Sequence, residues 1–293
     1  MTKITQIKQY IIYQKLTLTD KSPATLISYR SDLIQFAIWF EKINNTEMDL
    51  LHITPTDARQ YKQYLIDSNF RPQTINRRLL SLKYFLEWGW DSKKIKYRFP
   101  LPQTVKQSQP IPKWLSRIEQ NQLLRCVERC GKVRDIAIVR VLMNTGLRVS
   151  ELCNLKWIHV VMSDRKGKLL VNAGKGSKYR EVPLNKDARQ SFFDLGYKDY
   201  AGKDSFIFIG QRGTLSPRGI QLMLKRLNLS NELEIISPHQ LRHTFCKNLV
   251  DAGVNLEKVA VLAGHERLDT TKLYCHPSFT DLSDAVERIG EFD

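Results

Sequence analysis

A proline-rich segment divides this chain of 293 residues into two parts. Residues 97–114 read YRFPLPQTVKQSQPIPKW and show no apolar periodicity. Proline lacks an amide donor and disfavours helix at the residue before it, so a regular element is not expected to cross this segment. Each part is long enough to bury its own core. The sequence therefore predicts two domains, residues 1–99 and 114–293, joined by a linker over residues 100–113.

The charge of the chain indicates the kind of partner that it binds. Apolar residues make up 42% and charged residues 26%, as in ordinary globular proteins, but 46 Lys and Arg stand against 30 Asp and Glu, a net charge of +16. This excess favours a polyanionic partner, either nucleic acid or an anionic membrane surface. Apolar runs are far shorter than the roughly 18 residues that cross a membrane, so we expect neither a membrane segment nor export.

The cysteines indicate a reducing compartment. They number five and form no CxxC pair. An odd number without such pairs favours neither a zinc ribbon nor a complete disulfide framework. Reduced thiols in a cytoplasmic protein are the simplest interpretation.

The first domain is predicted to be all-helical. Apolar residues recur with helical spacing between positions 26 and 40, after a cap and first turn at Ser22 and Pro23, and further helices start at Thr54 and Pro72. The third helix opens a basic stretch over residues 71–98. This stretch is either a solvated face or a nucleic-acid contact, because helix starts often contact phosphates and base edges. The candidate contact residues are Thr74, Asn76, Arg77, Arg78 and Lys83.

The second domain is predicted to be helical with a small antiparallel β-sheet, which makes the chain mainly α. Residues 168–172 and 179–184 read as two strands around the tight turn at 174–177, and residues 206–209 suggest a further short strand. Apolar periodicity predicts helices over residues 118–143, 217–228, 238–252, 255–263, 269–275 and 280–290.

The first motif with chemical content is NTGLRVSEL, residues 144–152. Gly146 permits close approach of another part of the chain. Arg148 and Glu151 are three residues apart on one helical face, where the carboxylate can orient the guanidinium. Taken alone, such a pair is more often a surface ion pair.

The second motif is SPHQLRHTF, residues 237–245. A cap at Ser237 and proline in the first turn place His239 at the positive end of a helix, with Arg242 one turn later, and this pair suits an anion. Alternatively, His239 and His243 chelate a metal or are structural groups. The HxxxH spacing has no third ligand and no intervening carboxylate, so phosphate is favoured over metal.

The third motif is LAGHERLDTTKLYCH, residues 262–276. Gly264 suits the end of one helix, and Asp269 or Thr270 suits the cap of the next. Tyr274 then falls about one turn inside that helix. On its own, this tyrosine would more often be a packing residue than a chemical one.

Together, the three motifs and their order resemble the tyrosine recombinases of the phage integrase family, and within it the compact Xer-like members and transposon resolvases. The resemblance covers nearly the whole chain, with a helical core-binding domain of SAM-like type followed by a catalytic domain. It implies that Arg148 and Arg242 clamp the phosphate, that His239 and His265 handle protons or donate hydrogen bonds, and that Tyr274 is the nucleophile. Ala263 stands where the family often has glycine.

The resemblance also implies a lysine on the hairpin and several DNA contacts. Lys175 matches the family's hairpin lysine, with Lys178 as the nearby competitor. The segment around the helix that starts at Pro217 resembles the family's major-groove segment. The implied DNA contacts in the second domain are Lys178, Arg180, Arg212, Arg218, Lys225 and Arg226.

The implied reaction is transesterification of DNA. Tyr274, with His239 as its base, attacks a phosphodiester to give a 3′-phosphotyrosine and a free 5′ hydroxyl. Because one phosphoester replaces another, rejoining needs no ATP. Two guanidiniums stabilise the transition state as metal ions do elsewhere, so we expect neither a metal nor another cofactor.

The implied partner is double-stranded DNA with specific recombination sites, at the nucleoid. We expect a homotetramer on two sites, with or without an accessory protein, to exchange strands through a Holliday junction. This exchange would resolve dimers or transposon cointegrates. Leu282, Ala285, Val286 and Ile289 predict a C-terminal tail helix, docked on a neighbouring protomer or packed as an intramolecular cap. The alternatives are a type IB topoisomerase, a non-catalytic DNA-binding regulator and a metal-dependent nuclease.

Overall fold

The chain folds into two compact units, Met1–Gln109 and Pro110–Asp293. The computed structural model describes residues 3–17, 21–95, 97–98, 100–107, 112–171, 179–211, 213–229, 236–265, 267–275, 283 and 286–287. The boundary between the units falls inside the segment expected to be a linker. Residues 100–107 belong to the first unit, where Leu101 and Val105 pack against the core.

The described part of the first unit is built from helices. They are α1 (Lys3–Leu16), α2 (Pro23–Asn44), α3 (Pro55–Asp67) and α4 (Pro72–Asp91), with a 3₁₀ turn at Leu50–His52. The predicted starts are confirmed, since the Ser22 side chain accepts the amide of Thr25, and Thr54 forms a capping box with Asp57. Helix α1 was not predicted from the sequence, because polar residues interrupt its apolar pattern.

Aromatic side chains dominate the core of the first unit. Phe36 and Tyr61 meet edge to face with ring centroids 5.0 Å apart, and Tyr10 meets Phe85 in the same way at 5.4 Å. The first pair joins α2 to α3 and the second joins α1 to α4, and all four residues belong to one core. Edge-to-face contacts of this kind add to the stabilisation from burial alone.

The second unit is mainly helical with small antiparallel sheets, as predicted. Its helices are α5 (Arg117–Cys130), α6 (Val133–Thr145), α7 (Val149–Cys153), α8 (Lys186–Asp194), α9 (Tyr197–Tyr200), α10 (Pro217–Leu229), α11 (Pro238–Asp251), α12 (Leu256–Ala263) and α13 (Leu268–Lys272), with 3₁₀ turns at Trp157–His159 and Leu273–Cys275. The single helix predicted over residues 118–143 was wrong. Gly131 ends α5 in an extended conformation, so α6 starts as a separate helix.

The larger sheet has the strand order β1 (Val160–Met162), β2 (Gly167–Val171) and β3 (Arg180–Pro183), all antiparallel. Pairing of β2 with β3 confirms the predicted strand pair, and the turn between them lies outside the described residues. The strand predicted at 206–209 is shorter than expected. Phe206 makes an isolated bridge to Lys156, and the two-residue strands β4 (Ile209–Gly210) and β5 (Gly213–Thr214) form a second small sheet.

Helices α6 and α11 pack against each other and bring two of the three motifs together. The buried residues Val141, Leu142 and Leu241 belong to the main core of the second unit. A smaller apolar cluster, which includes Phe245, Cys246, Val259, Ala263 and Tyr274, lies under the third motif. Within the described ranges, the helices are too short or too polar to span a membrane.

Candidate active site

Gly146 joins the end of α6 to the middle of α11. It ends α6 in the left-handed conformation, with φ of 61°, and its carbonyl accepts a hydrogen bond of 2.6 Å from Nη1 of Arg242. A Cβ at this position would lie 2.3 Å from the ring of Phe245. Only glycine therefore satisfies both the backbone conformation and the close approach that the sequence predicted.

Arg148 and Glu151 form the pair that their spacing suggested. The Arg148 amide donates to Oε2 of Glu151 at 2.7 Å, and Arg148 Nη1 donates to Oε1 at 3.0 Å. Nη2 of Arg148 donates to the carbonyl of Gly264 at 2.8 Å. The Arg148 side chain remains 41% exposed while that of Glu151 is only 7% exposed. The buried carboxylate thus orients the guanidinium from the protein interior and leaves part of the guanidinium open to a ligand.

Arg180 is the residue whose placement differs most from the expectation. The sequence suggested a contact with the DNA backbone, but the side chain is 7% exposed and forms a fork on Glu151, with distances of 2.9 and 2.8 Å. Its Nε donates to the carbonyl of Leu262 at 3.1 Å. The strand pattern indicates this burial, because side chains alternate along β3 and Arg180 shares the buried face with Val182.

The ionisation of Glu151 follows from these contacts. Burial alone would raise the pKa of its carboxyl group, but the hydrogen bonds and charges of Arg180 and Arg148 hold that pKa below its usual value. Glu151 is therefore a carboxylate at neutral pH. It carries a negative charge between two guanidiniums.

Arg242 is almost completely enclosed, with 2% of its surface exposed. Burial and the nearby charge of Arg148 lower its pKa to about 10. A pKa of about 10 still leaves this guanidinium charged at neutral pH. Arg148 and Arg242 therefore place two positive charges close enough to influence each other.

His239 lies at the first turn of α11, on the exposed side of the site. Partial desolvation and the charges of Arg242 and Arg148 lower its pKa. Its ring lies 4.2 Å from that of His243, centroid to centroid. Among the residues that the structure describes, no three His, Cys, Asp or Glu side chains group as metal ligands would, so the pair has no third ligand there.

Tyr274 lies in the 3₁₀ turn that follows α13 and is 1% exposed. Its hydroxyl oxygen is 2.6 Å from Nδ1 of His243, to which it is hydrogen-bonded. Burial and the neighbouring Cys246 raise the pKa of the phenol, and the charge of Arg242 only partly opposes this. The sequence predicted His239 as the base for this phenol, and the hydrogen bond between the phenol and His243 was not predicted.

The ring of His265 also lies close to that of Tyr274. The two rings are nearly parallel, with an interplanar angle of 11° and centroids 6.2 Å apart. Nδ1 of His265 is hydrogen-bonded to Oγ1 of Thr271 at 2.9 Å. Burial and nearby positive charges lower the pKa of both His243 and His265 to about 4, so both rings are neutral at pH 7.

The structure thus brings together Arg148, His239, Arg242, His265 and Tyr274. Of the remaining candidates in this unit, Lys175, Lys178 and Arg212 lie outside the described residues. The other four basic candidates separate by exposure, since Arg180 is buried whereas Arg218, Lys225 and Arg226 are exposed on α10.

In the first unit, the basic candidates at the start of α4 make several contacts within the protein. Arg77 forms an ion pair with the buried Asp32, and Arg78 lies 3.9 Å from the same carboxylate. Asn76 donates to the carbonyl of Val105 at 2.9 Å and accepts its amide at 2.8 Å, so this side chain holds the proline-rich segment instead of being free for a base. Thr74 is half-buried, and Lys83 is exposed and 3.8 Å from Glu87.

Comparison with known protein families decides the affiliation. Residues 113–281 match the model of the phage integrase family, and residues 7–92 match the N-terminal SAM-like domain of phage integrases. The chain belongs to the phage integrase family. The resemblance seen in the three motifs is therefore confirmed over both units.

Curated relatives of this integrase-family chain are tyrosine recombinases. Tyrosine recombinase XerC of Chlorobaculum tepidum is 32% identical over 303 residues, which cover 91% of this chain and 89% of the relative. Tyrosine recombinase XerC of Pediococcus pentosaceus is 30% identical over 301 residues, with 98% and 97% covered.

Solved structures share the fold of this integrase-family chain. XerH site-specific recombinase bound to palindromic difH substrate matches with a TM-score of 0.76 and 18% identity, over 99% of this chain and 96% of that one. The Tn1549 transposon integrase in complex with a circular intermediate DNA matches with a TM-score of 0.71 and 21% identity, over 99% of each chain.

Proposed function

We propose that this chain is a site-specific DNA recombinase of the Xer type, which cleaves and rejoins DNA through a phosphotyrosine and resolves dimers or transposon cointegrates. The observation that carries this proposal is a single hydrogen-bonded frame. Gly146 binds Arg242, Gly264 binds Arg148, and Tyr274 lies beside the histidines of the same frame. Two guanidiniums, neutral imidazoles and a phenol are the groups that phosphoryl transfer to tyrosine requires.

Arg148 and Arg242 act as the clamp on the scissile phosphate. Their positive charges raise the local potential, and each already lowers the pKa of His239. Fixed guanidiniums stabilise the charge that builds on the nonbridging oxygens without having to reorganise during the reaction. We therefore expect cleavage to proceed without a metal ion.

The histidines handle protons as neutral bases and donors. At neutral pH, the lowered pKa values keep the rings of His239, His243 and His265 uncharged, so each can accept a proton at one nitrogen. Exposed His239 is at the anion-binding end of α11. We assign it as the base that receives the phenolic proton after the tyrosine reaches the phosphate.

Tyr274 has to become accessible before it can react. With 1% of its surface exposed, its hydroxyl cannot meet a DNA phosphate until the 3₁₀ turn Leu273–Cys275 moves and the bond to His243 breaks. The phenolic oxygen then bonds to phosphorus, and the 5′ oxygen leaves with a proton. Lys175 is our candidate donor of that proton. Attack by a 5′ hydroxyl reverses the same steps and rejoins a strand.

The substrate class is double-stranded DNA with a specific site. The XerH structure of this fold contains a palindromic difH substrate, and the Tn1549 integrase structure contains a circular intermediate DNA. The net charge of +16 fits a polyanion, and the basic residues Arg218, Lys225 and Arg226 are exposed on α10. We infer that the chain acts as a homotetramer on two such sites, with its tail helix docked on a neighbouring protomer.

The decisive experiment traps the covalent intermediate. A binding site is first selected from random duplexes and then prepared as a suicide substrate, with a nick beside the cleavage point so that rejoining fails. We expect a DNA adduct with the wild-type chain, and equally with Tyr200→Phe, which changes an exposed tyrosine of the same unit. Tyr274→Phe should give none, and chelator should have no effect.

Two alternative functions have their own outcomes in this experiment, and the third is tested by incubation with a supercoiled plasmid. Specific binding without an adduct would indicate a non-catalytic regulator, and cleavage that stops with chelator would indicate a metal-dependent nuclease. Relaxation of supercoiled DNA without site preference would indicate a type IB topoisomerase. An adduct that persists in Tyr274→Phe would refute the assignment of the nucleophile.

A further inference from the structure

Glu151 receives more hydrogen bonds than its pairing with Arg148 explains. Two come from Arg148, through the amide and Nη1, and two more come from Nη1 and Nη2 of Arg180 at 2.9 and 2.8 Å. The side chains of Glu151 and Arg180 are each 7% exposed. Because the side chain of Arg148 is 41% exposed, Arg180 is the more enclosed of the two guanidiniums bound to this carboxylate.

Arg180 also reaches the end of α12, just before His265. Its Nε donates to the carbonyl of Leu262 at 3.1 Å, and two residues later the carbonyl of Gly264 accepts from Arg148. Gly264 has φ of 68°, and a Cβ there would lie 2.8 Å from Nη1 of Arg180. The guanidinium thus packs directly against the backbone just before the histidine.

The charges explain why a second arginine is needed. A buried carboxylate paired with Arg148 alone would neutralise the guanidinium that has to bind phosphate. With Arg180 as a second partner, Glu151 has its counterion, and the positive charge of Arg148 stays available to the substrate. The planar fork of arginine suits this bidentate contact, which lysine cannot reproduce.

We propose that Arg180 is a positioning residue of the recombination reaction, which holds Glu151 and the backbone at 262–264 so that Arg148 and His265 keep their places. This inference rests on the proposed function. Arg180 itself does not touch DNA. It links the strand β3, the helix α7 and the end of α12 through one buried side chain.

The test measures the rate of adduct formation in a single turnover, together with DNA affinity and thermal unfolding. We expect Arg180→Met to form the Tyr274 adduct on the order of 10- to 100-fold more slowly, because small misplacements at a reacting centre have effects of this size. DNA affinity should change less than about twofold, since the residue is buried. Arg180→Lys should recover only part of the rate. Arg189→Met, a half-buried arginine that also donates to a backbone carbonyl, should cleave normally.

A double variant separates positioning from a merely structural role. In Arg180→Met, Arg148 is the one guanidinium left to pair with the Glu151 carboxylate, so the charge of Arg148 is neutralised. Adding Glu151→Gln removes that carboxylate charge and should restore part of both the rate and the melting temperature. The rate loss of the double variant should therefore be smaller than the product of the losses in Arg180→Met and in Glu151→Gln. If Arg180→Met does not fold, Arg180→Lys alone and Arg180→Lys combined with Glu151→Gln provide the same comparison.

The possible results distinguish this inference from the proposed function. No adduct with the wild-type chain would overturn the proposed function and, with it, the role of Arg180. A normal adduct rate in Arg180→Met, or losses in the double variant that simply multiply, would overturn the role of Arg180 alone. A loss of DNA affinity as large as the loss of rate would return Arg180 to the DNA contacts.

Discussion

At the scale of single residues, protonation separates the groups of the site. Arg242 stays charged with a pKa near 10, whereas His243 and His265 stay neutral because burial and neighbouring cations lower their pKa to about 4. The phenol of Tyr274 is neutral for the same main reason, since burial disfavours its charged form, although here this raises the pKa instead of lowering it. The site therefore holds a protonated, unreactive tyrosine beside neutral imidazoles.

The two half-buried histidines, His243 and His265, make stability depend on pH. Their pKa falls from 6.5 in the unfolded chain to about 4 in the folded one, so their contribution is complete above pH 6.5 and is lost as pH falls toward 4. We expect urea unfolding to show lower stability at pH 5 than at pH 7. His243→Gln with His265→Gln should reduce that difference, whereas exposed His52→Gln should preserve it. The same difference in the double variant would contradict these assignments.

Gly146 allows a second test at the scale of one residue. Gly146→Ala adds a Cβ 2.3 Å from Phe245 and also strains the left-handed backbone, whereas Gly202→Ala, with φ of 75° and open surroundings, adds only strain. Left-handed strain costs about 1–2 kcal/mol and forced packing about 1–3 kcal/mol more. Chemical denaturation should show the larger loss for Gly146→Ala. Equal losses would mean that the contact with Phe245 is unimportant.

At the scale of elements, the ends of helices and one short strand build the site. Backbone carbonyls at the ends of α6 and α12 accept hydrogen bonds from arginine side chains. These arginines lie in α11, at the cap of α7 and in β3. These carbonyls are the acceptors that a helix end leaves without intrahelical partners. The strand β3 adds the buried guanidinium of Arg180. Motif residues far apart in sequence thus share one hydrogen-bonded frame.

The start of α4 offers a test at the same scale. Asp32 on α2 binds Arg77 and Ser81 and lies 3.9 Å from Arg78, so it holds the basic helix start in place. If Arg77 contacts a phosphate, Arg77→Ala should weaken DNA binding and lower the log-log salt slope by about 0.9. Arg59→Ala, an exposed arginine on α3, serves as the charge-matched control. Unchanged affinity and slope in Arg77→Ala would remove this contact.

At the scale of the whole molecule, the chain consists of two units with separate cores. The aromatic core of the first unit and the aliphatic core of the second meet the size that an independent domain needs. The charge of +16 belongs to the chain as a whole. It gives the molecule long-range attraction to DNA that falls with ionic strength.

Assembly is tested by removing the predicted tail helix. A chain that ends after Cys275 keeps Tyr274 and the arginine clamp, so we expect it to bind a single DNA site with nearly unchanged affinity. If the tail docks on a neighbour, the truncated chain should fail to bring two sites together, which mass photometry of the protein with DNA would show. Tetramers of normal mass and strand exchange at a normal rate would contradict docking in trans.

The sequence by itself determined the helical class, the paired strands and the motif residues, because periodicity, caps and turns are local properties of the chain. Gly131 and α1 show the limit, since one glycine split a predicted helix and polar residues hid another. Only the tertiary structure decided which groups meet. It placed Arg180 on Glu151, Asn76 on Val105 and Tyr274 on His243. Such partners are distant in sequence, and their pairing depends on burial and on how the helices pack, which local patterns do not encode.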